Sequence, residues 1–173
     1  MVLGLDASGV VTEVGAEVSG FAIGDEVWAR SDNGAGKCYA EYVALNPATV
    51  AHKPARLSHV EAAGVPLAAL RPLDGLRDCG QIQEGDRVLI NGASGGVGVF
   101  AVQMAALFGA HVTAVCSAGN AALVRELGAD EVAICRLEDG DCINSKIATT
   151  EKALHLGILR DRDDVNVVLH FQS

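Results

Sequence analysis

The stretch RVLINGASGGVGVFAVQ, residues 87–103, sets four glycines between an apolar strand-like run and an almost wholly apolar helix-like run. Gly92, Gly95 and Gly98 are spaced three apart, with Gly96 as an extra. A strand, a turn of this kind and a helix bring unpaired backbone N–H groups together with the positive end of a helix dipole, worth about half an elementary charge. Such a point attracts a pyrophosphate. Side chains would hold the ligand away from the N–H groups and the helix away from the strand, so glycine there permits close approach.

The surrounding pattern supports this reading. From Asp86 the chain alternates: RVLING reads as a buried strand, VGVFAVQMAALFG as a helix ended by Gly109, HVTAVCS as a strand, NAALVRELG as a helix ended by Gly128, and ADEVAIC as a third strand. A βαβαβ series builds a parallel sheet, because each crossover helix returns the chain to start the next strand in the same direction. The first of these helices has Gln103 as its only strongly polar side chain and is expected to be buried on most sides. Beyond Cys135 the signal weakens, and only VNVVLHF, residues 165–171, reads as another buried strand.

Upstream, residues 1–54 carry β signals: GVVTEVG, GDEVWA, CYAEYVALN and VAHKP are short runs separated by turn residues, as in a small antiparallel barrel or sandwich. Ser58 followed by Glu61 is a capping box and opens a helix at His59. Pro66 and Pro72 prevent one clean helix from there to Cys79, so two short helices or a kinked one are expected. The expected division is a partial β domain at 1–57, linking helices at 58–85 and a partial nucleotide-binding domain at 86–173.

Composition excludes other classes. Half of the 173 residues are hydrophobic, enough for a folded core. The formal charge of −9 and the lack of any Lys/Arg cluster disfavour nucleic acid and anionic membrane as partners. No apolar stretch reaches the roughly 20 residues needed to span a bilayer. Cys38, Cys79, Cys116, Cys135 and Cys142 form no C-x-x-C pair and lie at no metal-ligand spacing from a histidine, so they read as small buried thiols. No metal site is expected.

Two other glycine motifs share these letters. A P-loop requires Lys-Ser/Thr after its last glycine, and here Gly98 is followed by Val99 and Phe100. The G-x-x-x-G-x-G turn of short-chain dehydrogenases fits Gly92, Gly96 and Gly98, but those enzymes need a downstream Tyr and Lys four apart. Tyr39 and Tyr42 lie upstream, with Val43 and Asn46 four residues after them.

In order along the chain, GLDASGVVTEVG, FAIGDEVWA, CYAEYVALN, EAAGVPLAAL and NGASGGVGVFAVQMAALFGAHVTAVCSAGNAALVRELGADEV resemble the medium-chain dehydrogenase/reductase superfamily, in its zinc-independent quinone oxidoreductase branch that includes zeta-crystallin-like proteins. The resemblance covers about residues 2–133. It implies an α/β fold: part of a GroES-like β domain, then a partial Rossmann domain, a doubly wound parallel sheet, with NADP(H) bound in the cleft between the two. It implies hydride transfer to a quinone or an α,β-unsaturated carbonyl, and leaves room for a homodimer in the full-length parent. Zinc-dependent relatives carry Gly-His-Glu where this chain has Gly4, Leu5 and Asp6, and leucine cannot ligate zinc. Without metal, the developing oxyanion must be stabilised by hydrogen bonds and by placement of the cofactor.

The second strand of the series ends Cys116, Ser117, where NAD-preferring folds place an Asp or Glu on the ribose hydroxyls. A neutral, hydroxyl-bearing end leaves room for a 2′-phosphate and favours NADP(H). Relatives often add an Arg or Lys shortly afterwards; this chain has Gly119 and Asn120, and Asn donates a hydrogen bond without charge. The expected cofactor-binding set is Gly92, Ser94, Gly95, Gly96, Val97, Gly98, Cys116, Ser117 and Asn120. Ser117 and Asn120 also suit a helix N-cap.

Elsewhere the chain departs from its relatives. The resemblance starts inside the first domain and stops partway through the second. Arg71 and Pro72 stand where relatives line the nicotinamide with small or hydroxyl residues; Arg71 could reach the phosphates, block that pocket or lie at the surface. Tyr39 and Tyr42 would point to opposite faces of a strand and are expected to be packing residues, and Asp6 to orient its strand by hydrogen bonding. No general acid or base is assigned. Three readings follow: a zinc-free NADPH-dependent quinone or enone reductase, a nucleotide-binding module without turnover, and an incomplete chain without independent function. The expected compartment is the cytoplasm, or an organelle stroma or matrix if a transit peptide preceded Met1.

Overall fold

The computed structural model describes residues 2–32, 36–134 and 167–170. The chain divides into two compact units, Met1–Ala68 and Ala69–Ser173.

In the first unit, β1 (Asp6–Val10), β2 (Glu26–Arg30) and β3 (Val50–His52) form an antiparallel sheet in that order. Ser8 pairs with Trp28, and Trp28 with Ala51. The β1 strand covers the start of the expected GVVTEVG run, and the chain leaves the sheet after Val10. The connection closes through Val11 N–H to the Asp25 carbonyl (2.9 Å) and Ala22 N–H to the Asp25 carboxylate (2.8 Å).

The CYAEYVALN run does not form a strand. Cys38 and Tyr39 donate backbone hydrogen bonds to the carbonyls of Gly4 (3.0 Å) and Leu3 (2.8 Å), and the chain then bends. Tyr39 and Tyr42 are both 77% exposed, so they are not the packing residues that their aromatic character predicts. The crossing here is tight. A Cβ on Gly36 would meet the Gly4 carbonyl oxygen at 2.0 Å, and one on Gly4 would meet the Tyr39 ring at 2.4 Å; both glycines have positive φ.

Helix α1 (His59–Ala63) starts at the expected capping box: Ser58 N–H donates to the Glu61 carboxylate (2.8 Å) and Glu61 N–H to Ser58 Oγ (3.3 Å). His59 ties this helix to the sheet, with Nδ1 2.8 Å from Ser8 Oγ on β1 and Nε2 3.2 Å from Glu26 on β2. Lys53 meets the other Glu26 oxygen at 3.2 Å. The predicted interruption by proline is present: α1 stops at Gly64 and α2 (Pro66–Leu73) starts at Pro66. Pro72 sits buried inside α2, and the chain then widens into a π-helical turn, Asp74–Cys79, in which Gly80 N–H reaches back five residues to Gly75.

Among the described residues the second unit holds four parallel strands in the order β6-β5-β4-β7: β4 (Arg87–Asn91), β5 (His111–Cys116), β6 (Glu131–Ile134) and β7 (Val167–His170). All four were legible as strands. Helices α3 (Gly98–Leu107) and α4 (Ala121–Glu126) link β4 to β5 and β5 to β6, and each is followed by a glycine of positive φ, Gly109 and Gly128. Val88, Leu89 and Ile90 are successively buried, which means β4 is covered on both faces, as parallel sheets require. Each such side chain contributes about 1.5–3 kcal/mol by leaving water.

The core joins Val88, Ile90, Val112 and Ala114 of the sheet to Ala101, Val102 and Ala105 of α3. In that helix Gly98, Ala101, Val102 and Ala105 are buried and the other residues half-buried, except Leu107 at its end, which is 84% exposed. Small residues on the inner face let the helix lie close to the sheet. Among the described cysteines Cys116 is buried, Cys38 is half-buried and Cys79 is exposed, so the expectation of buried thiols fails at Cys79. Cys135, Cys142 and the weak-signal segment 136–164 lie outside the described residues. Among the described residues no helix is long and apolar enough to cross a membrane, and no group of three His, Cys, Asp or Glu could hold a metal ion.

Candidate functional site

The strand order of the second unit reverses at β4: β5 and β6 extend from one edge and β7 joins the other. Ligands of open parallel sheets bind outside the carboxyl ends of the strands at such a reversal. The glycine turn lies there, directly after Asn91 at the end of β4.

Gly92 has φ +69°, a left-handed conformation that starts the turn, and its N–H takes the Asn91 side-chain carbonyl (3.0 Å). Gly95 N–H returns to the Gly92 carbonyl at 2.9 Å, which closes the turn and uses that donor internally. Gly98 packs hardest, since a Cβ on it would stand 2.1 Å from the Gly92 oxygen and 2.8 Å from Ala93. Gly96 is the opposite case: it is exposed and a Cβ there would meet nothing within 4 Å. Among the described residues, no backbone hydrogen bond reaches the N–H groups of Gly96, Val97 or Gly98. These three donors open α3, so an anion over Gly96 would meet free amides and the helix dipole together.

The end of β5 contributes a second group of residues. Asn120 Nδ2 donates to Ser94 Oγ in the glycine turn (3.0 Å) and to Ser117 Oγ just after β5 (3.2 Å). The structure therefore joins three of the expected site residues that come from two segments. Ser117 and Asn120 do stand at N-cap positions, of the 3-10 turn Ala118–Asn120 and of α4, but neither side chain makes a capping hydrogen bond. Cys116 belongs to the core, where burial pushes its thiol above the ordinary value against the opposing pull of Arg125.

The first unit carries an open hollow of about 560 Å³ lined by Leu3, Leu5, Ala63, Leu67, Tyr39 and Asp6. Asp6 accepts from Leu67 N–H at the start of α2 (2.7 Å), which ties its strand to that helix as the sequence suggests. Burial raises the Asp6 carboxyl above its usual value, while the Leu67 hydrogen bond and the charge of Arg30, its cross-strand partner, act the other way. This hollow carried no separate signal in the sequence, since its lining comes from three distant segments. Arg71, on α2, has an exposed side chain.

Residues 1–55 match the alcohol dehydrogenase GroES-like domain. The mitochondrial NAD(P)H oxidoreductase RTN4IP1 of Mus musculus is 46% identical over 136 residues, 76% of this chain and 34% of that protein. The structure of the quinone oxidoreductase from Coxiella burnetii superposes with a TM-score of 0.70 at 38% identity, over 75% of this chain and 41% of that one. A mycobacterial protein, Rv1454c, solved in complex with NADPH, gives a TM-score of 0.69 at 28% identity, over 79% and 42%. The chain thus spans about a third to two-fifths of the length of these three proteins.

Proposed function

Because the chain belongs to the medium-chain dehydrogenase/reductase superfamily, we propose that it is the coenzyme-binding part of an NADPH-dependent, zinc-independent oxidoreductase acting on a quinone or an α,β-unsaturated carbonyl. The observation that carries this reading is the open corner over Gly96, with the free amides of Gly96, Val97 and Gly98 behind it. A pyrophosphate fits there: the corner offers donors, a helix dipole and no side-chain bulk. We assign nucleotide binding to residues 86–173, through Gly92, Ser94, Gly95, Gly96, Val97 and Gly98 on the phosphate side and Cys116, Ser117 and Asn120 at the end of β5.

When bound, the nicotinamide supplies the hydride. The chain's own residues hold the phosphates, exclude bulk from their approach and choose between NADPH and NADH. Preference for NADPH rests on the neutral end of β5, where Ser117 stands instead of a carboxylate. The zinc-free reading rests on Leu5, which offers no metal-binding atom. The apolar hollow of the first unit suits a flat, largely hydrocarbon acceptor such as a quinone. The mitochondrial relative favours an organelle interior over the cytoplasm as the compartment.

Fluorescence titration of the purified chain with NADPH, followed by NADPH consumption with a panel of quinones and enones in chelator, tests the reading. Saturable binding is expected. Failure to bind either nicotinamide coenzyme would overturn it, and binding without consumption would make the chain a nucleotide-binding module.

A further inference from the structure

Two serine hydroxyls, one in the glycine turn and one after β5, share a single amide donor group. Asn120 has two amide protons, and its nitrogen lies 3.0 Å from Ser94 Oγ and 3.2 Å from Ser117 Oγ. Each proton goes to one serine. A hydroxyl has one proton and two lone pairs, so a serine that accepts from Asn120 keeps its own proton for another partner. Among the described residues, neither hydroxyl donates a hydrogen bond to any other group. The amide therefore leaves the pair as two available O–H donors.

Their position matters. The carboxyl end of the second strand of such a sheet is where the adenosine ribose is read. A carboxylate there accepts from the ribose hydroxyls, whereas two O–H donors complement an oxyanion. No basic side chain forms part of the trio; Arg125 on α4 acts on neighbouring Cys116 only through its charge. Discrimination would then come from hydrogen-bond polarity rather than from an ion pair.

We infer that Asn120 is a positioning residue for coenzyme choice, fixing Ser94 and Ser117 as the two hydroxyl donors that receive the 2′-phosphate of NADP(H). This rests on the proposed nucleotide site. It also changes the role of Asn120, which acts through the serines and does not itself donate to the phosphate.

The polarity of the trio can be inverted by a single atom. Asn120→Asp replaces the amide nitrogen with an oxygen that accepts from both serines, turning their protons inward and their lone pairs toward the phosphate. Asn120→Ala releases the hydroxyls to rotate freely.

The test is paired titration of the full chain and its variants with NADPH and NADH by nicotinamide fluorescence, read as the ratio of the two affinities. The parent is expected to favour NADPH. Asn120→Ala should lower the ratio about tenfold, in line with the loss of an ordered hydrogen bond to a charged group. Asn120→Asp should lower it further and bring the preference to NADH. Ser94→Ala removes one donor without touching the β5 end and should also lower the ratio, so the inference stays testable where an Asn120 variant fails to fold. An unchanged ratio in Asn120→Ala and Ser94→Ala would overturn the inference while leaving the nucleotide site intact. A parent that binds neither coenzyme would overturn the site reading and this inference with it.

Discussion

The carbonyl oxygen of Gly92 occupies the space that a Cβ on Gly98 would need, at 2.1 Å. Strand end and helix start are therefore fitted together by the absence of one methyl group, whereas a Cβ on Gly96 would meet nothing within 4 Å. Glycines two positions apart thus serve different purposes, the first packing and the second access.

Substitution separates the two. Gly98→Ala should force the turn from the helix and destabilise the second unit by roughly 1–3 kcal/mol, in line with overpacking elsewhere. Gly96→Val should leave the melting midpoint within a degree or two, about the effect of a surface change, yet abolish coenzyme binding by filling the phosphate approach. Circular-dichroism melts with coenzyme titrations check both; a Gly96→Val protein that binds like the parent would remove the phosphate from this corner.

Ser117→Asp should move preference toward NADH. A carboxylate after β5 repels a 2′-phosphate and accepts from ribose hydroxyls, so NADPH affinity should fall by about tenfold or more while NADH gains a partner. Titration with the two coenzymes reads this directly.

Glu26 gives the first unit a pH dependence of known sign. Lys53, by hydrogen bond and charge, holds its carboxyl below the ordinary value of 4.5, with His59 adding to the effect. A carboxyl that is more acidic when folded contributes stability that is complete above 4.5 and lost as pH falls from there through the folded value. Asp6 opposes it, because burial raises its pKa and folding then favours the protonated form as pH falls. Urea unfolding between pH 7 and pH 3 is expected to show a steeper acid loss in Asp6→Asn, where Asp6 no longer opposes Glu26 and the similarly lowered Glu61, and a shallower one in Glu26→Gln.

Ser58→Ala should cost about 1 kcal/mol, because the capping box loses the oxygen that receives Glu61 N–H. Chemical denaturation gives the figure. Ser58→Asp, which restores an acceptor, should recover most of it.

Regular periods and local punctuation made much of this fold legible. The βαβαβ series, the capping box at Ser58 and the break before Pro66 depend on residues within a few positions of one another, whereas α2 runs through Pro72. Residues 38–46 misled because their valine and aromatics read as a strand, while the path is set by Gly4 and Gly36, whose close crossing joins segments 32 residues apart. The site divided in the same way. The glycine spacing announced the tight turn after β4, but nothing local indicated that Gly95 spends its N–H inside the turn, or that Asn120 reaches back 26 residues to Ser94.

The placement of β7 beside β4 bears on how the molecule is made. During synthesis the strand that carries the glycine turn emerges some eighty residues before the neighbour on its far edge, Val167–His170. Until then β4 presents a bare row of amides and carbonyls, a template for foreign strands. The nascent chain should therefore depend on chaperones over that interval more than at any other, and a ribosome stalled within it should release aggregates.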